Sequence, residues 1–202
     1  MTDKEIEKAI LKKIKVKRTI PKTFSELVDS FESKFSNFDY HANCFPINDY
    51  FGTGSGQALA TSKLIADKRI EQNWLREYQT KEGNTKIDFM GLYFFLNDKT
   101  PFYVGISKGV IGRILQHIKG HNHNTSTLAY NIGLLRYELM NGEKHSGIRK
   151  ELDFKNEVGP VKKFLLNQQI AFLHIDNYEE LYLFEIYCSM RLRTILNTFE
   201  TH

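Results

Sequence analysis

The residue types suited to work on a phosphate ester gather in the second half of the chain. Between Asp98 and Glu138 the 202-residue sequence has no Asp or Glu, yet Lys99, Lys108, Arg113, Lys119, Arg136 and three of the seven His fall inside that 39-residue interval. A surface free of negative charge over such a length suits an approach to phosphates. Arg113 and His117 stand at i and i+4 of a run whose Ile111, Ile114, Leu115 and Ile118 gather on the other side of a helix. The pair is therefore expected to point away from the packed side. A guanidinium is planar and always charged, which is the donor that negative charge building at phosphorus calls for. Glu185 falls on the edge of an apolar stripe made by Leu181, Phe184, Cys188, Leu192 and Ile195. A carboxylate there is costly unless an arginine, Arg113 included, or another cation pairs with it. Taken alone, Tyr93 and Tyr103 read as core or cross-strand tyrosines, and Asn197 as a local cap or turn residue.

Two kinds of segment must position these groups. Residues 1–85 read as helical. Ile6, Ile10 and Ile14 line one side of a basic N-terminal helix, and Thr23-Phe24-Ser25-Glu26 forms a capping box ahead of Leu27, Val28, Phe31 and Phe35. An aromatic, Gly-rich loop follows, and then a helix-favouring run from Gln57 to Gln79. At Phe89 the period becomes strand-like, and Asn97-Asp98-Lys99-Thr100 separates two β-rich runs as an antiparallel hairpin. Helices are expected at 110–119 and at 127–140, the latter with Leu128, Ile132, Leu135 and Leu139 on one face and Gly142 as its stop. A charged connector to about Pro160, a third strand at 169–175 and a final helix at 178–195 complete a β-β-α-α-β-α order. The expected fold is α/β of the α+β kind, a small three-stranded antiparallel sheet flanked by helices, with a helical N-terminal extension.

Gly91-Leu92-Tyr93, then Tyr103-Val104-Gly105 ten residues on, then Arg113, His117, Glu185 and, twelve residues later, Asn197 resemble the GIY-YIG nuclease domain. The resemblance covers about residues 89–200, and its strength lies in the ordered set with its spacing. Leu92 and Val104 depart from the isoleucines of the family name, and Ile106 stands where several members carry a lysine that Lys108 could replace. The resemblance implies metal-dependent cleavage of DNA phosphodiesters. It implies that Tyr93 and Tyr103 face the scissile phosphate, that Arg113 contacts phosphoryl oxygens, that Glu185 binds one Mg²⁺, with Mn²⁺ able to substitute, and that Asn197 orients active-site groups. One carboxylate suffices for Mg²⁺, which keeps several waters. Tyr93 and His117 are both candidates for the general base. A chain of this size without a further recognisable module reads as a type II restriction enzyme acting on double-stranded DNA, and cutting both strands suggests a homodimer or sequential nicking. The rival readings are a structure-specific or repair nicking endonuclease and a catalytically silent nucleic-acid-binding module.

The composition sets outer limits. With 41% apolar residues and 28 Lys+Arg against 24 Asp+Glu, the chain is expected to fold and is neither collagen-like nor disordered. No run approaches 18 apolar residues and the N-terminus lacks the order of a secretory signal, so a cytoplasmic protein without a membrane span is expected. Two distant cysteines, Cys44 and Cys188, offer neither a disulfide framework nor a Cys-x-x-Cys metal site. The whole formal excess of +4 lies in residues 1–18, seven bases against three acids, which makes Lys12 and Lys13 candidate DNA contacts beside Lys108 and Lys119. His121-Asn122-His123 is a weak zinc signal, and Gly52-Thr53-Gly54-Ser55-Gly56 fits no nucleotide-binding fingerprint.

Overall fold

The structure, a computed structural model, describes residues 2–14, 23–79, 83–145 and 151–197. The chain divides into two compact units, residues 1–34 and 35–202. In the first, α1 (Asp3–Ile14) presents an exposed Lys12; the Lys13 side chain lies outside what is described. The helix α2 (Phe24–Ser36) begins at the expected capping box, where the Thr23 N–H and hydroxyl donate to Glu26 and the Glu26 N–H donates back to Thr23 Oγ1. Leu27 and Phe31 form its buried side.

The second unit is built on a four-stranded antiparallel sheet of order β1-β6-β4-β5. The central strand β4 (Gly91–Asn97) and β5 (Thr100–Ser107) form the expected hairpin, with Tyr93 opposite Gly105 and Phe95 opposite Tyr103. Its two-residue turn holds Asp98 and Lys99 at φ 44° and 63°, the left-handed geometry that matches the twist of the flanking strands. β6 (Gln169–His174) lies on the other side of β4. The fourth strand corrects the expected three: β1 (Phe45–Pro46) pairs with Ile170 and Gln169 at the edge of β6. Two residues ending in proline carry no strand periodicity, so the pairing is legible only from β6.

Helices cover both faces of the sheet. On one side α4 (Ile47–Phe51), α5 (Gln57–Ala66), α6 (Val110–Lys119), α7 (Thr127–Asn141) and α8 (Gly159–Leu166) enclose a core of Tyr93, Phe95, Ile170, Phe172 and Phe45 with Ile111, Ile114, Leu64 and Val161. α9 (Tyr178–Leu192) packs along β5 and β4. Elements from residue 35 onward thus join the unit that holds the sheet, where the sequence reading put a boundary near residue 85. Other expectations change as well. The run 57–79 ends as a helix at Ala66, and Arg76–Gln79 is β2, paired with β3 (Thr85–Asp88) in a separate two-stranded ribbon. The charged connector ends in a π turn at Phe154–Val158, and α8 fills the stretch between it and β6, where the sequence predicts no element. On α7 the buried residues are Leu128, Ala129, Tyr130 and Gly133, while Leu135 and Leu139 are exposed, because the helix meets its neighbours through small residues of its N-terminal half. Arg193, at φ 52°, stops α9 and leaves Ile195 off the helix and exposed.

Candidate active site

The two motif glycines have steric reasons to be glycine. A Cβ at Gly91 would run into the Leu173 carbonyl of β6, and one at Gly105 would overlap Cζ and Oη of Tyr93. Residues facing each other across an antiparallel pair point to the same side, so the bare Gly105 is what lets the Tyr93 ring lie across β5. Its hydroxyl then reaches α6, with Tyr93 Oη 2.9 Å from His117 Nε2.

His117 is fully buried, against the expectation that it points outward with Arg113. α6 is covered on more than its Ile face, since α8, α5, α7 and the sheet all pack on it. Burial, with Arg113 and Lys162 adding to it, holds the imidazole well below its ordinary pKa, so the ring is neutral. Its Nδ1 is buried without a partner among the described residues. Burial likewise pushes the Tyr93 phenol well above its usual range, helped by Tyr103 and Glu185 and opposed by the charge and hydrogen bond of Arg113. Tyr103 is raised by burial and by Glu185, and is lowered by Arg113 and by the neighbouring Tyr93.

Arg113 is held by neighbours of its own. Its Nη1 donates to the Thr125 carbonyl at 3.1 Å and to Gln116 Oε1 at 3.2 Å, and its Nη2 donates to Thr127 Oγ1 at 3.0 Å. Glu185, half-buried on α9, has its carboxyl pushed up to about 7 by loss of water, with Arg113 the cation that pulls it back. The Tyr93, Tyr103 and His117 rings from β4, β5 and α6 lie within 6.2 Å of one another, and Arg113 and Glu185 are near enough for their charges to bear on both phenols. Asn197 stands one step back: its side chain accepts from the Val104 N–H at 2.9 Å and donates to the Val104 carbonyl at 2.7 Å, and Thr194 Oγ1 fixes its oxygen at 2.8 Å. It clamps the edge of β5 beside Tyr103.

The candidate DNA contacts separate. Lys108 is exposed, with its ammonium 4.0 Å from the centre of the Tyr178 ring. Lys119 is half-buried and donates to the carbonyls of Gly52 and Ser55. The Gly-rich loop thus turns carbonyl oxygens toward a cation, the reverse of a phosphate cradle. His121 and His123 face different rings, Phe154 and Tyr130, and no group of three or more metal-ligating side chains occurs among the described residues. Both cysteines are free, Cys188 buried and Cys44 half-buried.

Two supports were not legible in the chain order. Asp88 is buried at the end of β3 and accepts the N–H groups of Phe89, Ile111 and Gly112 at 2.8 to 2.9 Å, so a residue 23 positions upstream caps the helix that carries Arg113 and His117. Lys162, also buried, donates to the Gly120 carbonyl and to Ser126 Oγ at the other end of α6. A cation at a helix C-terminus offsets the dipole and satisfies carbonyls the helix leaves open. Asp88 stands between Ile87 and Phe89 as a charge among apolar neighbours, whereas Lys162 is followed by Lys163 and nothing in the sequence marks it.

No protein-family model, no curated protein and no solved structure matches the chain. Among the described residues no helix is long and apolar enough to cross a membrane.

Proposed function

We propose that this protein is a metal-dependent endonuclease of the GIY-YIG type, acting on double-stranded DNA as a type II restriction enzyme. The observation that carries the reading is the buried contact of Tyr93 with His117 at 2.9 Å, with the Tyr103 ring packed beside both; the charges of Arg113 and Glu185 bear on the same two phenols.

The donor set fits one hard divalent cation. Glu185 is a half-buried carboxylate short of positive charge, and Mg²⁺ accepts a single carboxylate while keeping its waters. Glu185 would hold the ion, which when bound supplies charge for the leaving 3′ oxygen. The chain's own residues account for the rest. Of the two candidate bases, Tyr93 is taken to meet the reacting water, with the wholly buried His117 as its partner. With Nε2 as acceptor, Tyr93 passes its proton to His117 as its oxygen takes one from water; once the phosphodiester opens, the imidazolium returns its proton to the Tyr93 oxygen, which releases one to the leaving 3′ oxygen. The burial that makes each group a poor ion at rest keeps that exchange short-lived. Arg113, oriented by Thr125 and Thr127, turns its remaining N–H groups to the phosphoryl oxygens. Tyr103 donates to the same oxygens.

The test is incubation of purified protein with plasmid and phage DNA, with and without Mg²⁺, read as discrete fragments on a gel. Glu185→Gln is expected to abolish Mg²⁺-dependent cleavage without lowering the melting temperature, because it removes a carboxylate that burial already disfavours. Near wild-type cleavage by that variant refutes the metal assignment; loss of folding would make Glu185 a structural partner of Arg113.

A further inference from the structure

A cleft beside the candidate site opens on the Arg113 side of α6 and has a volume of about 600 Å³. Its walls include Lys86, Arg113 and Lys119 with Tyr78 and Gln116, and among the described residues no carboxylate lines it. Tyr78 and Lys86 come from the β2–β3 ribbon, where they are directly paired and so share one side. Apart from Asp88 every described residue of the two strands is exposed. A two-stranded ribbon with neither face buried is marginal on its own, and here its base is tied down. Asp88 caps α6, and Gln57 donates to Asp88 Oδ2 at 2.9 Å and to the Ile87 carbonyl at 3.1 Å. The same two N–H groups that Asp88 holds lie one and two residues before Arg113. The ribbon is thereby fixed to the helix that carries the catalytic arginine, and Lys86 projects over a cleft that leads to it.

Resting on the endonuclease reading, we infer that this ribbon and the cleft beneath it are the DNA-binding element that guides the strand into the site, with Lys86 on a backbone phosphate and Tyr78 hydrogen-bonded to the adjoining sugar-phosphate. Lys86 and Arg113, backed by a Lys119 whose ammonium rests on the Gly52 and Ser55 carbonyls, favour a polyanion, and the open cleft is continuous with Arg113, the group assigned to the scissile phosphate. A two-stranded ribbon also has the width that a major groove admits. Lys108 is not among the residues that line this cleft. The ribbon follows from tertiary placement, since its four-residue strands sit in a segment whose composition reads as helix.

The experiment uses the full chain and a fluorescein-labelled duplex of about three helical turns, in EDTA, with anisotropy measured across a salt series. Lys86→Gln is expected to weaken binding and to flatten the slope of log affinity against log salt by about 0.9, one phosphate contact. Tyr78→Ala is expected to weaken binding several-fold without changing that slope. Lys99→Gln, at the β4–β5 turn and the length of β5 away from the cleft-lining Ser107, serves as the control and is expected to match wild type. In Mg²⁺, Lys86→Gln should raise KM for plasmid cleavage and leave kcat at saturating DNA unchanged. If wild type cuts DNA while Lys86→Gln and Tyr78→Ala bind and cut as wild type does, the ribbon inference is overturned and the endonuclease reading stands. If wild type cuts nothing yet Lys86→Gln still loses duplex affinity and slope, the endonuclease reading falls and the DNA-binding ribbon survives. Absence of any duplex binding by wild type overturns the ribbon outright.

Discussion

Gly105→Ala should disable the site through one methyl group. The added Cβ would overlap Cζ and Oη of Tyr93, which is 1% exposed and has no free space to move into. Forcing an extra methyl into a packed interior costs about 1–3 kcal/mol. Swinging the ring away also breaks the 2.9 Å contact with His117, leaving a second buried imidazole nitrogen unsatisfied beside Nδ1, at a further cost of about 1–3 kcal/mol. Against this, Gly→Ala at a site with ordinary backbone angles gains about 0.4–1 kcal/mol from the unfolded chain. The net loss is about 2–4 kcal/mol, which for a chain of this size lowers the melting temperature by about 5–15 °C. Calorimetry gives the shift, and plasmid cleavage below the new melting point should still be lost because the Tyr93 hydroxyl is displaced. A cycle with Tyr93→Leu isolates the cause: once the ring is gone, Gly105→Ala should be nearly neutral, with a coupling energy above about 1.5 kcal/mol. Gly105→Ala melting within a degree or two of wild type, or costing as much beside Leu at position 93, would refute the steric argument.

Arg113→Lys keeps the charge and loses the paired N–H geometry, so single-turnover cleavage should fall on the order of 10²-fold or more, as measured by quenched-flow with saturating protein. Lys162, with its ammonium held down to about 8 by burial, gives a pH signature. Between pH 8 and the ordinary lysine range the unfolded chain binds a proton that the folded chain has released, so this group makes stability rise with pH. Between pH 7.5 and 9.5 the wild-type free energy of unfolding should gain about 2 kcal/mol relative to Lys162→Met in urea titrations, and a pH-independent difference would refute the assignment. Deleting residues 1–18, which carry the formal excess of +4, should flatten the salt dependence of duplex binding by about 3 if three to four phosphates are contacted, and superimposable slopes would discard that role.

Local physics settled the elements that announce themselves over a few neighbours. The β-rich runs at 91–97 and 100–107, the turn at Asp98-Lys99, the capping box at Thr23 and the Leu181, Phe184 and Cys188 part of the α9 stripe all depend on contacts within one turn or across one hairpin, and each appears where its residues placed it. The sequence resemblance names Tyr93, Tyr103 and His117 together, and their rings lie within 6.2 Å of one another. Tertiary packing decided what those side chains meet. His117 faces inward because α6 is covered on several sides, a fact that one helical period does not contain. Asp88 and Lys162 reach the two ends of α6 from 23 and 36 to 45 residues away in sequence, and a lone buried charge says nothing in advance about which backbone groups it will satisfy. The two-residue β1 and the four-residue β2 and β3 are shorter than any period that could identify them, and they form because β6 and each other's backbones offer the hydrogen bonds. Pairing between distant backbones leaves no trace in composition, so the placing of Tyr78 and Lys86 along one cleft with Arg113 emerged only once the chain was folded.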